Sequence, residues 1–584
     1  MERLYSVSLC MIVKDEERVL KRCLDSVVGL VDEIVIVDTG STDNTINIAK
    51  SFNAIVKPFV WTNDFSEARN YSLSFATCDW ILVLDADEYF SDEAKSEFIQ
   101  AINQDGISGY YINQINFIDE MNLNHTINNL MHRLFRNHQG AVYTGAVHEQ
   151  LYIPEDKKLG GSKIIELGFY HDGYLTPIYA GKQKSNRNTK LIQAILEKDP
   201  NNTFQLFNLG TEYVGAKEFD KAIECYNKAY SQMTQNDGFV GKLILYRINA
   251  FMTKGDYSNA LQAIEEGLTL FPNYTDLMFE KAEIYEQYGQ YTKAIRCYEQ
   301  CMAMGMTPIN LRYSSLVWEI GPLIRLSKLY QKLEDYEMAI KYYIDYFKTP
   351  GANYLLLYPF GLCLKKEKYA EEAVCDILSS YLKIDELESF IVFLNLLLNN
   401  EYFSRVDSYL NHWHAEIFDT RLEELKIKSK FYLREFEEVK RMIEDKKDVS
   451  TDLETIYFIV AWMTSSINVN QIGPLLDSKY YQFLRRLVIY PEVEQDISYG
   501  KDSPELDLLF RLLKETILIK EFTLFERLLY ALNYFETDDV LLRLAKLYDE
   551  FGFYDLAKKE IFRSIKHFDK LDLESAKLLC KYLT

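Results

Sequence analysis

The chain has 584 residues, of which 65 are lysine or arginine and 87 are aspartate or glutamate, giving a net charge of −22. Because one hydrophobic core rarely organises so long a chain, we expect about two to four domains. The acidic balance disfavours nucleic acid and anionic membranes as partners, since both are negatively charged, and it favours a neutral or basic substrate.

The cysteines and the apolar segments predict a cytoplasmic protein with no membrane partner. The nine cysteines are scattered and form no CxxC pair, which is typical of reduced residues in a core. The first apolar run, Val7 to Val13, is followed directly by charged residues and reads as a strand, not as a signal peptide. The apolar run from Phe390 to Leu398 has about half of the 20 residues that a membrane crossing needs.

Strand and helix signals alternate in the N-terminal part of the chain. The expected strands are Val7 to Val13, Ile34 to Val37, Ala54 to Phe59 and Trp80 to Leu84. Between them, apolar residues recur at helical spacing, and the second helix is expected to begin at Thr42 or Asp43. This order predicts a parallel sheet covered by helices.

Carboxylates follow two of these strands at the point where each strand ends. Asp38 comes after the second strand, and Asp85 and Asp87 come after the fourth. Open α/β sheets bind ligands at the carboxyl ends of their strands, and a hard divalent cation takes carboxylate and phosphate oxygens. The pattern therefore predicts an enzyme that binds a metal-bound nucleotide diphosphate, although each acid taken alone also suits a turn or an exposed loop.

Four motifs in order resemble the family 2 glycosyltransferases of the GT-A fold. They are Ser8-Leu-Cys-Met-Ile-Val-Lys-Asp-Glu16, Val37-Asp-Thr-Gly-Ser-Thr-Asp43, Phe65-Ser-Glu-Ala-Arg-Asn70 and Leu84-Asp-Ala-Asp-Glu88. The resemblance covers about residues 5 to 190. It is greatest to the bacterial subgroup fused to tetratricopeptide repeats, which includes peptide glycosyltransferases that modify bacteriocins. It implies a Rossmann-like, mostly parallel α/β domain that uses a UDP-sugar.

The resemblance also implies roles for individual residues in binding the donor. Asp38 would bind the uracil or ribose, Asp64 the base, and Asp85 the ribose or sugar hydroxyls. Arg69 would steady the pyrophosphate or the Asp85 carboxylate through its planar fork of donors. Asp87 would bind Mn²⁺ or Mg²⁺, which neutralises charge on the leaving diphosphate. A turn cap for Asp38 and a surface ion pair for Arg69 are the simpler alternatives.

The later part of this domain offers further candidates. Five of the eight histidines lie between positions 125 and 171, and by the resemblance His171 would complete the metal shell. Inverting transfer needs a carboxylate to accept the proton of the attacking group, and Glu149 is our candidate, with a structural role as the alternative. On a predicted helix from Lys182 to Leu196, Lys184 and Arg187 would reach the diphosphate or simply face solvent.

Helical repeats follow from about residue 201. Small alanines recur at positions 222, 260, 294, 339 and 373, and two of the spacings equal the 34-residue period of tetratricopeptide repeats. We therefore expect a GT-A catalytic domain at 1–180, a linking helix at 181–200, tetratricopeptide-like repeats at 201–380 and a degenerate all-α repeat region at 381–584.

Together these features predict a metal-dependent inverting glycosyltransferase. It would move a sugar from a UDP-sugar to a cysteine, serine or threonine of a peptide or protein held by the repeats. One alternative is transfer to a glycan or lipid carrier of the cell envelope, and another is a non-catalytic repeat scaffold. The degenerate C-terminal helices would also allow a homodimer.

Overall fold

The computed structural model describes most of the chain, as two compact units spanning Met1–Asn353 and Tyr354–Thr584. The described residues are 3–91, 94–117, 126–171, 181–235, 238–413, 419–446, 449–464, 503–535 and 537–583, with the side chains of 181–187, 451 and 583 left aside. Each unit is treated separately below.

The first unit begins with a mixed sheet. Its strands, with a separate β8–β9 pair, are β1 (Val7–Val13), β2 (Glu33–Asp38), β3 (Ile55–Pro58), β4 (Trp80–Val83), β5 (Glu88–Phe90), β6 (Gly109–Phe117), β7 (Thr126–Arg136), β8 (Val142–Thr144), β9 (Gln150–Tyr152) and β10 (Ser162–His171). The order of the eight-stranded sheet is β3-β2-β1-β4-β7-β6-β10-β5. Four of its seven pairings are parallel, which confirms the predicted mostly parallel sheet.

Helices cover this sheet on both faces. They are α1 (Leu20–Val27), α2 (Thr45–Ser51), α3 (Phe65–Leu73) and α4 (Ala94–Ile102). Alternate β1 residues point to opposite faces: Leu9 packs in the cluster that contains α1 and α4, whereas Cys10 packs in the cluster beside Leu73 and Tyr143. The two faces are therefore both buried, as a parallel sheet between helices requires.

The predicted start of α2 was wrong by two to three residues. The helix begins at Thr45, because the preceding residues form a turn instead. The backbone N–H of Thr42 donates to Asp15, and the Asp43 carboxylate accepts the N–H of Thr45 at 3.0 Å. These side-chain bonds hold the backbone outside the helix and tie the loop after β2 to the loop after β1.

Helical repeats complete the first unit. The helices are α5 (Gly181–Lys198), α6 (Thr203–Gly215), α7 (Phe219–Gln232), α8 (Val240–Lys254), α9 (Tyr257–Leu270), α10 (Thr275–Gln287), α11 (Tyr291–Met304), α12 (Ile320–Lys332) and α13 (Tyr336–Phe347). The template alanines are fully buried at Ala222, Ala260, Ala294 and Ala339. Small residues at these positions let paired helices approach closely, which confirms the predicted repeat architecture.

A short segment of the repeats, residues 313–315, pairs with the outer end of β7. Ile127 and Ser314 form an antiparallel bridge, flanked by backbone hydrogen bonds of 2.8 and 3.1 Å. The N–H of Ser314 also donates to the buried carboxylate of Asp276 on α10, at 2.8 Å. The segment therefore connects the sheet to the third pair of repeat helices.

The second unit is helical throughout its described part. Its helices are α14 (Leu357–Lys366), α15 (Glu371–Ser379), α16 (Leu387–Asn399), α17 (Phe403–His412), α18 (Thr420–Tyr432), α19 (Phe436–Glu444), α20 (Thr451–Met463), α21 (Pro504–Leu518), α22 (Phe522–Ala531), α23 (Val540–Glu550), α24 (Tyr554–Phe568) and α25 (Leu573–Leu583). Among the described helices, none has both the length and the apolar character needed to cross a bilayer. The domain boundaries at 180, 200 and 380 stay predictions.

Candidate active site

Asp38 ends β2 and organises the loop that follows it. Its buried carboxylate accepts the backbone N–H groups of Gly40 and Ser41, at 3.2 and 3.1 Å. Gly40 has φ of +107°, a left-handed conformation that glycine adopts without strain. The Asp38 side chain therefore caps the turn, in agreement with the simpler prediction, and lies at the carboxyl edge of the sheet beside the end of β1.

Asp64 caps the N-terminus of α3. One of its carboxylate oxygens accepts the backbone N–H groups of Ser66 and Glu67, at 2.8 and 3.2 Å. These bonds satisfy two N–H groups that the first turn of a helix leaves without partners. The cap fixes the start of α3, and five residues later the helix directs the buried Arg69 toward the end of β4.

Two buried arginines hold the carboxylate of Asp85. Arg69 donates from Nη2 to Oδ1 at 2.8 Å, and Arg133 donates from Nη2 to Oδ2 at 2.7 Å. Arg133 also reaches Glu88 at 3.0 Å, and Arg69 donates from Nε to Glu149 at 2.5 Å. Both arginine side chains are less than a tenth exposed. Five charges thus share one network whose signs alternate.

The network sets the charge of its members. Burial alone would raise the pKa of Asp85, but Arg133 and Arg69 outweigh that effect and hold the pKa well below its ordinary value. Burial raises the pKa of Glu88, which Arg133 offsets only in part. Asp85 is therefore an anion at neutral pH, and its two carboxylate oxygens accept hydrogen bonds from the two arginines.

Asp87, which precedes β5, and His171, which ends β10, face each other, because β5 and β10 are paired in the sheet. Nε2 of His171 lies 3.1 Å from Oδ2 of Asp87, and Nδ1 lies 2.7 Å from Oδ1 of Asn116. Burial lowers the pKa of His171, but the hydrogen bond and charge of Asp87 reverse the effect and raise it. Burial, together with Asp87 and Asp85, raises the pKa of Glu16 to about 7.

These residues suit a divalent cation that completes its shell with a diphosphate. Within the described ranges, no three histidine, cysteine or acidic side chains are grouped as a metal site. Asp87 and His171 would therefore supply only two ligands to a cation. Hard cations commonly use few protein carboxylates and take the rest from phosphate and water. The buried Nη1 of Arg69 has no hydrogen-bond partner among the described residues, so a donor remains for an anionic ligand.

Glu149 lies on a loop that contacts the first repeat helices. Gly145 and His148 have φ of +103° and +54°, so the loop turns sharply on either side of the buried Val147. Val147 packs with Ile192 of α5 and Leu209 of α6. The loop thus holds Glu149 against Arg69 on one side while packing on the repeats on the other.

The described histidines between positions 126 and 171 do not form one site. His171 contacts Asp87, whereas His132 stacks on Tyr111 and burial lowers its pKa to about 4. His148 lies 4.0 Å from Glu212 of α6. His125 lies outside the described residues. Lys184 and Arg187 fall on α5 as the predicted helix required, but their side chains also lie outside the described part.

Three functional candidates escaped the sequence analysis, namely Arg133, Asn116 and Glu16. Arg133 carried a signal, because a charged residue within the apolar strand Leu130 to Phe135 requires a buried partner. Glu16 ends the first of the four motifs but was given no role there. Asn116 had no signal, since its position beside His171 depends on how distant strands pair.

Comparison with known proteins identifies the two parts of the first unit. The Glycosyl transferase family 2 domain matches residues 8–151, and tetratricopeptide repeat families match residues 206–232, 277–308 and 322–348.

Similar proteins include both kinds of module. The SPbeta prophage-derived glycosyltransferase SunS of Bacillus subtilis is 27% identical over 290 residues, 48% of this chain and 66% of SunS. A TPR repeat-containing protein of Synechococcus elongatus is 41% identical over 143 residues, 24% of this chain and 34% of that protein. The chain thus matches less than two thirds of the length of these relatives.

Among solved structures, glucosyl-3-phosphoglycerate synthase from Mycobacterium tuberculosis, in complex with Mn²⁺, uridine-diphosphate and glucosyl-3-phosphoglycerate, is 16% identical. The alignment covers 29% of this chain and 72% of the synthase, with a TM-score of 0.23. At this score the likeness supports no inference about function.

Proposed function

We propose that this chain, which joins a glycosyltransferase family 2 domain to tetratricopeptide repeats, is a metal-dependent inverting glycosyltransferase. It moves a sugar from a UDP-sugar to a cysteine, serine or threonine of a peptide or protein held by the repeats. One observation carries the proposal. Asp38 ends β2, and Asp85 and Asp87 follow β4, so that these acids lie at the carboxyl ends of the two strands that flank β1, with Arg69 buried beside Asp85.

The donor lies at this edge. Asp38 keeps lone pairs beyond its two backbone contacts and binds the ribose or uracil, while Asp64 contacts the base with the oxygen that does not cap α3. Arg69 turns its unpartnered Nη1 to the diphosphate, and Asp85 orients the ribose or sugar hydroxyls. Lys184 and Arg187 add positive charge near the diphosphate. Arg69, Lys184 and Arg187 would thus place hydrogen-bond donors around the diphosphate, and such preorganised donors limit reorganisation during the reaction.

Asp87 and His171 would hold the cation, Mn²⁺ or Mg²⁺. It would supply neutralisation of the charge that develops on the leaving diphosphate. An imidazole ligand disfavours Mg²⁺, which prefers oxygen, so we expect Mn²⁺ to support the higher rate.

Glu149 acts as the general base. It takes the proton from the attacking hydroxyl or thiol as the bond to the sugar forms and the bond to the diphosphate breaks. Arg69 orients the carboxylate through its hydrogen bond from Nε. A thiol acceptor makes a smaller demand on this base than a hydroxyl, because its own pKa is lower.

The repeats hold the acceptor. Val147, two residues from Glu149, packs directly on α5 and α6, so a peptide on the repeats reaches the proposed base without a long connection. Repeat proteins of this type bind extended segments on their surfaces. The cytoplasmic location and the homodimer stay predictions.

The test is release of UDP from a panel of UDP-sugars with Mn²⁺, comparing the wild-type chain with Asp87→Ala. We expect slow donor hydrolysis with one sugar and at least a roughly 100-fold lower rate in the variant. Asp25→Ala is the matched control, because Asp25 is a half-exposed carboxylate that pairs only with Lys21 among its described contacts. Equal hydrolysis by wild type and Asp87→Ala would contradict the metal assignment.

The acceptor is tested next, with peptides that carry cysteine, serine or threonine and with envelope glycans or lipid carriers. Transfer only to a glycan or lipid would support the alternative acceptor. If there is neither turnover nor Mn²⁺-dependent binding of UDP, the result would support the alternative that the chain is a non-catalytic repeat scaffold.

A further inference from the structure

Asn70, which follows Arg69 on α3, contacts the strand that leads to Glu149. Its Nδ2 donates to the backbone carbonyl of Tyr143 at 2.8 Å, and its Oδ1 accepts the backbone N–H of Tyr143 at 2.7 Å. Because a carbonyl only accepts and an N–H only donates, these two partners fix the orientation of the amide. One side chain of α3 thus binds both polar backbone groups of a single residue of β8.

The strands β8 and β9 form a hairpin that is separate from the eight-stranded sheet, so strand pairing does not attach it to that sheet. Tyr143 pairs with Leu151, and the turn between the two strands carries Glu149. The first residue of α3 also contacts this turn, since the N–H of Phe65 donates to the carbonyl of Ala146 at 3.0 Å. The position of the hairpin therefore depends on its contacts with α3.

Among the described residues, the Glu149 carboxylate accepts one hydrogen bond, and the donor is shared. Arg69 donates to Glu149 from Nε at 2.5 Å and to Asp85 from Nη2 at 2.8 Å. A single bond directs the carboxylate but does not fix the backbone that carries it. The Tyr143 ring lies with its centroid 5.6 Å from the Arg69 guanidinium. The bonds from Asn70 therefore act beside the ion network, on the strand that enters the turn.

We propose that Asn70 is a positioning residue, which holds the β8–β9 hairpin on α3 and thereby places the Glu149 carboxylate beside Arg69. Removal of the amide takes two hydrogen bonds from the Tyr143 backbone, so the hairpin can move away from α3 more readily. The catalytic consequence rests on the proposed function, in which Glu149 is the base, whereas the attachment of the hairpin does not.

The attachment is measured first, in protein without metal or donor, by hydrogen exchange and mass spectrometry. We expect Asn70→Ala to speed exchange of residues 142–152 about 10-fold or more, because the hairpin opens more often. Exchange in β1 and β4 should not change, which shows that the sheet stays folded. If Asn70→Ala loses protection throughout the sheet, Asn70→Asp is used instead. It keeps an acceptor for the Tyr143 N–H, and exchange of residues 142–152 should still rise.

Asn137→Ala is the matched control, because Asn137 is also a partly buried asparagine that binds backbone groups of both kinds. It donates to the carbonyls of Ala76 and Cys78, before β4, and accepts the N–H of His138. It should leave exchange of residues 142–152 unchanged. Unchanged exchange of this segment in Asn70→Ala, or an equal rise in Asn137→Ala, would overturn the proposal.

Donor hydrolysis is the second measurement, with Mn²⁺ and the UDP-sugar that the wild type hydrolyses. Asn70→Ala should lower kcat for UDP release about 10- to 100-fold, because a displaced base is poorly aligned with the attacking water. The KM for the UDP-sugar should change about threefold or less, because Asn70 contacts no group assigned to the donor. Asn137→Ala should leave both constants close to those of the wild type.

A double-variant cycle separates positioning from general damage. In a Glu149→Gln background, Asn70→Ala should lower kcat by about threefold or less, because both changes act through one group. An unchanged kcat in Asn70→Ala, or an equal loss with and without Glu149, would overturn the positioning role. If the wild type hydrolyses no UDP-sugar while exchange of residues 142–152 responds to Asn70→Ala alone, the proposed function fails and the attachment of the hairpin stands.

Discussion

The sheet and the repeats of the first unit are built on different interiors. The sheet buries Arg69, Arg133 and Glu88 in one ion network, whereas the repeats bury alanines and tyrosines. Burying an ion costs several kcal/mol unless partners compensate it, and apolar packing carries no such cost. A chain retains buried charges most readily where chemistry needs them. The contrast therefore agrees with the proposal that the sheet carries the reaction and the repeats hold the acceptor.

The test with the largest expected effect substitutes one glutamate beside the ion network and one glutamate in the repeats. Glu149→Gln should lower kcat about 10²- to 10⁴-fold with a hydroxyl acceptor, because the amide cannot take the proton. Glu212→Gln on α6, close to the same loop, should change the rate by about threefold or less. Initial rates of product formation measure both. Similar losses of rate in the two variants would contradict the proposed role of Glu149 as the base.

The next test concerns the stability of the ion network. Arg133→Met removes the buried cation that pairs with Glu88 and leaves Asp85 with Arg69 alone, so it should reduce stability by about 3–5 kcal/mol. Arg136→Met is the matched control on the same strand, since its guanidinium lies over Trp80 at 4.3 Å and, among the described residues, its ion pair is with the exposed Asp105. It should cost about 1–2 kcal/mol. Hydrogen exchange of the β4 and β7 amides, followed by mass spectrometry, measures each loss, and equal losses would contradict the network.

Among the described repeat residues 203–347, Asp276 is the one carboxylate whose side chain is buried. It therefore tests the cost of burying a charge in the repeats. Burial raises its pKa from 3.8 to about 6, against the opposing bonds from Ser314 and Thr307. The folded state then holds a proton that the unfolded state loses earlier. This stabilisation is complete below pH 3.8 and is lost as pH rises through about 6, a change of about 3 kcal/mol.

Asp276→Asn should remove that dependence, so the stability of wild type relative to the variant should fall between about pH 4 and 6. Hydrogen exchange at α10, corrected for the intrinsic pH dependence of exchange, provides the measurement. A constant difference across this range would show that Asp276 titrates normally.

The smallest expected effect compares two glycines of α6. Alanine at Gly210 would place its Cβ 2.4 Å from the Tyr226 ring, so Gly210→Ala should cost about 1–3 kcal/mol. A Cβ added at Gly215 would meet no neighbouring atom within 4 Å, and Gly215→Ala should be neutral or stabilise by up to about 1 kcal/mol. Thermal unfolding of both variants measures the difference. A harmless Gly210→Ala would show that the repeats are packed less tightly than the buried alanines indicate.

Much of the fold followed from local patterns. Four of the strands and the alanine spacing of the repeats were visible because they depend on residues close in sequence. β5 and the antiparallel placement of β7 between β4 and β6 were not predicted, since such pairing joins distant segments whose apolar patterns suit several orders.

The candidate site divides in the same way. Asp38, Asp85 and Asp87 were found because each lies within three residues of the end of a predicted strand. Asn116 was missed, because its importance comes from a partner 55 residues away and not from its neighbours. The start of α2 was missed because Asp15, in another loop, binds the residue that would otherwise open the helix.

The pairing of Thr126 with Ser315 joins residues 189 positions apart. During synthesis, the two segments therefore become available at different times. A ribosome adds roughly 5–20 residues each second, so the outer end of β7 leaves the ribosome roughly 10–40 s before its partner segment. During that interval its backbone is an open strand edge, able to pair with a neighbouring chain on the same messenger RNA. A nascent chain therefore needs residues 313–315, which follow its third pair of repeat helices, before this edge of β7 is covered, and a shortened gene ending before residue 313 should give a self-associating product.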